Sequence, residues 1–157
     1  MMRIFLPLIV CLTTVMESEQ IKPTHEKIVN TPGREDLIST ANHYLKFLND
    51  ASFSDAAEIA SQVSQLCVPN CKKVLNGKTI FQDRNYYTSQ LVDIKKEIGA
   101  WKIQPLDVFT SMEDSIVIIR HLVITEKADD LVVLVVLRCN HDGLITEINE
   151  VFNKLES

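Results

Sequence analysis

The chain has 157 residues and a formal net charge of -5. This length suits one domain that buries its own hydrophobic core without disulfide or metal staples. The sequence has no basic stripe interleaved with aromatic residues, which argues against a nucleic-acid partner.

The first 20 residues predict an export signal. Arg3 precedes an apolar run at positions 4–16, which is too short to span a bilayer but typical of a secretory signal. We therefore expect residues 1–20 to be a signal peptide, the protein to be exported (periplasmic or secreted), and the mature chain to lack a stable membrane span. The alternative is an uncleaved apolar N-terminus or a misassigned start codon, with the protein cytoplasmic. Residues 21–33, with Pro23, Pro32 and Gly33, predict a flexible linker.

Helical periodicity begins at Arg34 and predicts three helices before the main sheet. The apolar stripe of the first helix consists of Leu37, Ile38, Ala41, Tyr44, Leu45 and Leu48. A second helix is expected to begin at Ser52 and to end by Pro69. Asp83 can cap a third helix, which Gly99 closes.

The strand pattern predicts a short hairpin between the second and third helices and about four antiparallel strands after the third. Asn76-Gly77 is a preferred pair for a type I′ turn and makes a hairpin of residues 74–80. Residues 101–109 start the main sheet, and Pro105 predicts an edge position or a bulge. Strands 116–125, 131–139 and 144–152 follow, the last two joined by the turn 140–143.

Alternation gives the terminal hairpin two different faces. If residues 140–143 form the loop, one face carries Val133, Val135, Leu137, Cys139, Thr146, Ile148, Glu150 and Phe152. Because this face is nearly all apolar, the upstream helices are expected to cover it. The opposite face mixes apolar residues with Arg138, Glu147 and Asn149, and is free to meet solvent or a partner subunit.

The order of elements resembles the nuclear transport factor 2-like (NTF2-like) superfamily, which includes SnoaL-like polyketide cyclases and ketosteroid isomerases. The resemblance covers about residues 34–157 and rests on Asn76-Gly77-Lys78, on Gly99-x-Trp101 and on the terminal segment 142–148. It implies an α+β fold in which a cone-shaped, curved antiparallel sheet wraps around three N-terminal helices. The open end of such a cone is a pocket used for catalysis, ligand binding or partner docking.

The resemblance also implies where family chemistry would lie, and this chain departs from it. The position of the ketosteroid isomerase aspartic acid, three residues before an arginine, is Val135 here, which cannot donate a hydrogen bond. The place of the general base falls on residues 70–73, which contain no carboxylate. Both departures argue against that isomerase activity. The terminal acid of SnoaL-like cyclases has a counterpart in Glu150, whereas the adjoining His and Trp are replaced.

Two function classes stay open. The first is a non-catalytic module that binds a small apolar ligand or a protein partner, dimeric through the outer sheet face. The second is a small enzyme that performs isomerase-, cyclase- or hydrolase-like acid–base chemistry on an apolar substrate. Neither class is expected to use a cofactor. The predicted ligand pocket is lined by Tyr44, Leu48, Tyr87, Trp101, Val135, Leu137, Ile148 and Phe152.

The hypothetical catalytic residues are His121, Glu150 and Tyr44. A lone carboxylate on an apolar face needs a partner, and even-sum strand pairing places His121 opposite Val135, on the face of Glu150. Such a pair can serve as base and acid, with Tyr44 orienting a substrate oxygen. The alternative is that Glu150 is hydrated at the open end of the cone and that Arg120 points inward instead of His121, because a one-residue slip exchanges the faces.

The remaining reactive residues are the cysteines and histidines. Cys67 and Cys71 are four residues apart around Pro69, so in an exported protein they are candidates for a disulfide; the alternative is two buried thiols. The four histidines show no metal-binding spacing, and no metal site is predicted.

Overall fold

The computed structural model describes residues 32–155. It contains three helices and six strands, namely α1 (Arg34–Ala51), α2 (Ala56–Leu66), β1 (Cys67–Leu75), β2 (Lys78–Phe81), α3 (Asn85–Ile98), β3 (Trp101–Ser111), β4 (Ile116–Thr125), β5 (Leu131–Cys139) and β6 (Ile145–Lys154). The predicted signal peptide, 1–20, and nearly all of the predicted linker, 21–33, lie outside the described residues. From 32 to 155, no helix combines the length and the apolar character needed to cross a membrane.

Helix α1 supplies most of the helical side of the core. Its first turn is closed by the backbone N–H of Gly33, which donates to Asp36 Oδ2 at 2.9 Å. The buried residues recur at helical spacing and are Leu37, Thr40, Ala41, Tyr44, Leu45, Phe47, Leu48 and Ala51. Ile38, expected in this stripe, is instead 38% exposed.

A capping side chain sets the start of α2, and a glycine sets the end of α3. Asp55 Oδ1 accepts from the backbone N–H of Glu58 at 2.9 Å, so α2 begins at Ala56 and not at Ser52 as predicted. Ser52 has another role, because its hydroxyl oxygen accepts from the backbone N–H of Trp101 at 2.7 Å and ties the end of α1 to the sheet. Helix α3 ends at Ile98 and is capped by Gly99, whose φ of 75° favours glycine.

The six strands form one sheet in the order β2-β1-β6-β5-β4-β3. The predicted antiparallel meander from β3 to β6 is present, but β1 pairs with β6 in parallel, so the sheet is mixed. Helix α3 carries the chain from β2 at one edge to β3 at the other, and the meander then returns until β6 meets β1 running in the same direction. The α+β cone architecture is confirmed, and the all-antiparallel sheet is corrected.

Local irregularities adjust the register of the sheet. Strand β3 lies at an edge and bulges between Pro105 and Asp107, as the proline predicted. A second bulge between Arg138 and Cys139 places Cys139 opposite Ile145. Ile145 is therefore the buried residue at this position, in place of the predicted Thr146.

Candidate functional site

A buried ion pair lies between the helices and the sheet. Lys73 Nζ is 2.9 Å from Glu150 Oε2, and the two side chains are only 3% and 13% exposed. The other carboxylate oxygen, Glu150 Oε1, accepts a hydrogen bond from the hydroxyl of Tyr44 at 2.9 Å. Both oxygens of Glu150 therefore have a protein partner, as a buried carboxylate requires.

Tyr87 completes this cluster from α3. Its hydroxyl lies 3.2 Å from the hydroxyl of Tyr44, and Lys73 Nζ lies 4.5 Å from its ring centroid, a cation–π geometry. Burial, followed by the negative charge of Glu150, raises the pKa of both tyrosines well above the ordinary value. Both tyrosines are therefore neutral hydrogen-bonding groups at physiological pH. We call Tyr44, Lys73, Tyr87 and Glu150 the core polar cluster.

The partner predicted for Glu150 was His121, and the structure corrects this to Lys73. The parallel pairing of β1 with β6 sets Lys73 opposite Ile148 and Leu75 opposite Glu150, which brings the lysine beside the carboxylate. Sequence reasoning missed this lysine because residues 67–73 were assigned to the end of a helix and its loop. A strand beginning at Cys67 would have placed Lys73 on the inward parity, together with Cys71.

His121 also faces the interior. It pairs with Val133 in β5 and not with Val135 as predicted, a shift of two residues that leaves it on the predicted face. Arg120 points outward, and its Nε donates to Asp107 Oδ2 at 2.8 Å. Burial lowers the pKa of His121, while the charge of Glu150 acts in the opposite direction. The Nδ1 atom of His121 is buried without a hydrogen-bond partner among residues 32–155.

The residues predicted to line a ligand pocket lie in the core. Buried members of this group are Tyr44, Leu48, Tyr87, Trp101, Val135, Leu137 and Ile148, and Phe152 is half-buried. Tyr44, Tyr87, Val135, Leu137 and Ile148 have no accessible surface, so no water-sized space adjoins them in this structure. A ligand pocket at this position stays a prediction, and it requires these side chains to separate.

A cavity of about 350 Å³ lies elsewhere, between α1 and α2. It is lined by His43, Lys46, Phe47, Asp50, Gln62, Gln65 and Leu66. Phe47 separates this cavity from the core polar cluster, because its ring packs 6.5 Å from that of Tyr44 and 5.7 Å from that of Tyr87, between centroids.

Cysteine and metal chemistry were the other candidates. Among the described residues Cys67, Cys71 and Cys139 are buried free thiols, so the predicted disulfide is not formed in this structure. In the same part of the chain, no group of three or more His, Cys, Asp or Glu residues is arranged to hold a metal ion.

Comparison with known proteins gives matches in structure but not in sequence. No protein-family model and no curated protein matches the chain. An NTF2-like protein of unknown function from Exiguobacterium sp. 255-15 has a TM-score of 0.62 at 16% identity, over 74% of this chain and 99% of its own. A SnoaL-like family protein from Agrobacterium tumefaciens has a TM-score of 0.60 at 11% identity, over 76% of this chain and 98% of its own.

An LEH-like epoxide hydrolase from M. tuberculosis is similar to the same extent, with a TM-score of 0.59 at 12% identity, over 76% of this chain and 84% of its own. At these identities the likeness concerns the backbone and carries no residue roles. The mixed six-stranded sheet, the three covering helices and these neighbours agree with one another. The chain therefore has the α+β cone fold of the NTF2-like superfamily.

Proposed function

We propose that this chain is a non-catalytic NTF2-like interaction module that associates with a second copy of itself through the outer face of its sheet. The observation that carries the proposal is a contrast between the two sides of the sheet. The inner side is filled and its charged groups are paired, whereas the outer side exposes large apolar residues.

The inner side offers little to a substrate. Lys73 and Glu150 satisfy each other, and Tyr44 occupies the second carboxylate oxygen. A general acid or base must reach the proton that it transfers, and here both carboxylate oxygens of Glu150 are already bonded within the protein. The core polar cluster therefore supports a structural role for these groups.

The outer face of the sheet carries exposed apolar side chains of the kind that proteins usually bury. Leu134 and Val151 are register partners on neighbouring strands and are 44% and 52% exposed, and Phe109 at the edge is 62% exposed. Half-buried Ile118 and Val136 are register partners on β4 and β5 and extend the patch. Contiguous exposed apolar surface of this kind marks an interaction site.

Charge on this face favours a second copy as the occupant. Arg120 is bonded to Asp107, and Arg138 pairs in register with Glu147, so the charges named are balanced. In a two-fold symmetric dimer the same patch meets itself, and a patch with net charge would repel its copy. A neutral, apolar face avoids that repulsion.

The test is the molar mass of the protein in solution, measured by sedimentation equilibrium over a range of concentrations. The parent is expected to sediment as a dimer. Leu134→Lys and Val151→Lys each place two like charges near the symmetric contact and are expected to yield monomers with unchanged circular dichroism. Ile80→Lys is the matched control, because Ile80 is also 44% exposed but lies on β2 at the sheet edge, and this variant should stay dimeric. A monomeric parent overturns the proposal.

A second candidate function is hydrolase-like acid–base catalysis without a cofactor. It is favoured by the inward-facing His121, whose Nδ1 has no partner in the described part of the chain, and by Phe47, a single side chain between the cavity and the tyrosines. Rotation of the Phe47 side chain would connect the cavity between α1 and α2 with the two tyrosines. One structural neighbour is an epoxide hydrolase, which suggests apolar epoxides as the first substrates to try.

Glu150→Gln distinguishes the two candidates. Glu147→Gln is its control, because it removes the same charge from the outer face of the same strand. Diol formation from a panel of apolar epoxides that is retained in Glu147→Gln, and lost in a Glu150→Gln variant whose circular dichroism matches the parent, would support the enzyme. No turnover by the parent, together with dimer formation, supports the interaction module.

A further inference from the structure

Cys67 and Cys71 lie at the two ends of a bulge in β1. Cys67 pairs with Ile145 and Lys72 pairs with Glu147, so β1 contains three residues more than β6 over this interval. In a regular strand, residues four apart are separated by about 13 Å, which is too far for a disulfide. The bulge turns the extra residues out of the ladder and brings its two ends together.

Both thiols point into the protein from this bulge. Cys67 is 1% exposed and Cys71 is fully buried, whereas Pro69 and Asn70 at the tip of the bulge are exposed. Because Cys67 pairs with Ile145 and Lys72 with Glu147, the two ends of the bulge lie only two residues apart along β6, about 7 Å, which brings the two side chains next to each other. The bulge therefore holds a thiol pair beneath a short exposed loop.

The surroundings make the two sulfurs unequal. The hydrogen bond from Cys67 and the positive charge of Lys73 lower the pKa of Cys71, against the opposing effects of burial and of Glu147. The same hydrogen bond, together with burial, raises the pKa of Cys67, against the opposing positive charges of Arg84 and Lys73. A thiolate is the attacking species in disulfide exchange, so Cys71 is the better nucleophile and Cys67 the resolving thiol.

We propose that Cys67 and Cys71 are a reversible redox pair that is oxidised to an intramolecular disulfide by a low-molecular-weight disulfide such as oxidised glutathione. The Cys71 thiolate attacks one sulfur of that disulfide, breaks its S–S bond and releases one glutathione thiolate, which takes up a proton. Cys67 then loses its proton to solvent and attacks the Cys71 sulfur, releasing the second glutathione. Two protein thiols are oxidised and one external disulfide is reduced to two thiols.

Access to Cys71 requires movement of the bulge alone. Arg84 anchors it, because its backbone N–H donates to the carbonyl of Pro69 at 3.1 Å and its Nη1 donates to the carbonyl of Cys67 at 2.8 Å. Loss of these few bonds frees residues 68–70 without disturbing the pairing of β1 with β6 beyond Lys72. The pair can therefore react without global unfolding.

The test is thiol mapping of the full chain after equilibration in glutathione buffers of graded redox ratio. The protein is quenched with acid, denatured, alkylated and cleaved with trypsin, which cuts after Lys46 and Lys72 and releases both cysteines in the peptide 47–72. The expected result is reversible conversion of this peptide from a doubly alkylated form to one that lacks two hydrogens and carries no alkyl group. Double alkylation at every ratio overturns the proposal, and so does a cross-link to a peptide containing another cysteine.

Cys139 is the internal control, because it is a buried thiol like Cys67 and Cys71. Burial raises the pKa of Cys139 to about 11. It lies on a separate tryptic peptide and should remain alkylated throughout. Cys67→Ser should accumulate a glutathione adduct on Cys71, whereas Cys71→Ser should leave Cys67 unmodified. The opposite pattern overturns the assigned roles. If either variant fails to fold, the reversible conversion of the parent peptide still decides whether the pair exists.

Discussion

Lys73 on β1 and Glu150 on β6 form a buried ion pair across the parallel junction of the sheet, with 2.9 Å between Nζ and Oε2. This junction joins the β1–β2 hairpin to the four-stranded meander. Removing one partner of a buried pair is costly because the other charge is left without compensation. Substitution of either residue should therefore lower the free energy of unfolding.

Lys73→Met is expected to lower the free energy of unfolding by about 3 kcal/mol, because Glu150 keeps its burial and loses its counter-charge. Urea denaturation measures the change. Lys73→Met combined with Glu150→Gln should cost less than the sum of the single variants, since the double variant contains no unpaired charge. Lys96→Met is the control, because Lys96 and Asp93 form an ion pair whose side chains are 71% and 66% exposed, and the cost should stay below about 0.5 kcal/mol. Equal costs for Lys73→Met and Lys96→Met would contradict the prediction.

Tyr44→Phe tests the hydrogen bonds of the core polar cluster without changing its charge. The variant removes the bonds to Glu150 and Tyr87 and leaves both partners buried, so a loss of about 1–3 kcal/mol is expected in the free energy of unfolding. Tyr86→Phe is the matched control, because Tyr86 is 64% exposed on α3 and should change stability little. If Tyr44→Phe leaves the free energy of unfolding unchanged, the Tyr44 hydroxyl contributes nothing to stability.

Ile148→Asp tests which face of β6 is inward. Ile148 is fully buried, so the substitution buries an unpaired carboxylate, and a loss above about 4 kcal/mol is expected. The control is Asn153→Asp on the same strand, at an exposed position. If Ile148→Asp unfolds at the same urea concentration as the parent, the assignment of faces is wrong.

The interior position of His121 predicts an altered titration of its imidazole. Burial lowers the pKa of His121 and the charge of Glu150 raises it, so Glu150→Gln should lower it further. An NMR titration of the imidazole resonances checks the shift. Glu147→Gln, with the same charge change on the outer face, should shift it less. An unchanged titration curve in Glu150→Gln would falsify the electrostatic contact.

The same lowered pKa makes stability depend on pH. Between the folded pKa of His121 and its unfolded value of about 6.5, the unfolded chain binds a proton that the folded protein does not. The free energy of unfolding should therefore fall as the pH falls through this window, and be restored above it. His121→Gln removes this titration, so its urea midpoint should decrease less steeply over the same pH range. Parallel pH profiles for the two proteins would argue against the lowered pKa.

Local signals in the sequence predicted most of the elements. The Asn76-Gly77 pair predicted the β1–β2 turn, and both residues have positive φ, 46° and 79°. Asp83 predicted the start of the third helix, because a short acidic side chain bonds the free backbone N–H groups of a first turn, and its Oδ1 accepts from the backbone N–H of Asn85 at 2.8 Å. These features depend on residues close together in the chain.

The parts that were missed depend on residues far apart. The parallel β1–β6 pairing joins Lys72 to Glu147, and periodicity within either strand contains no information about its neighbour. Lys73 therefore went unnoticed as the partner of Glu150, and His121 took its place in the hypothesis. The bulge at Cys139 shifted the inward residue from Thr146 to Ile145 for a similar reason, since register is decided by packing across strands.

The central position of β6 in the sheet has a consequence for synthesis on the ribosome. Every other described element precedes β6 in the chain, yet the β1–β2 hairpin and the rest of the sheet are joined only through it among the described residues. The hairpin must therefore wait, with one long edge unpaired, until β6 leaves the exit tunnel. During that interval Lys73 has no carboxylate partner, and we expect its charge to discourage pairing of this edge of β1 with strands of other nascent chains.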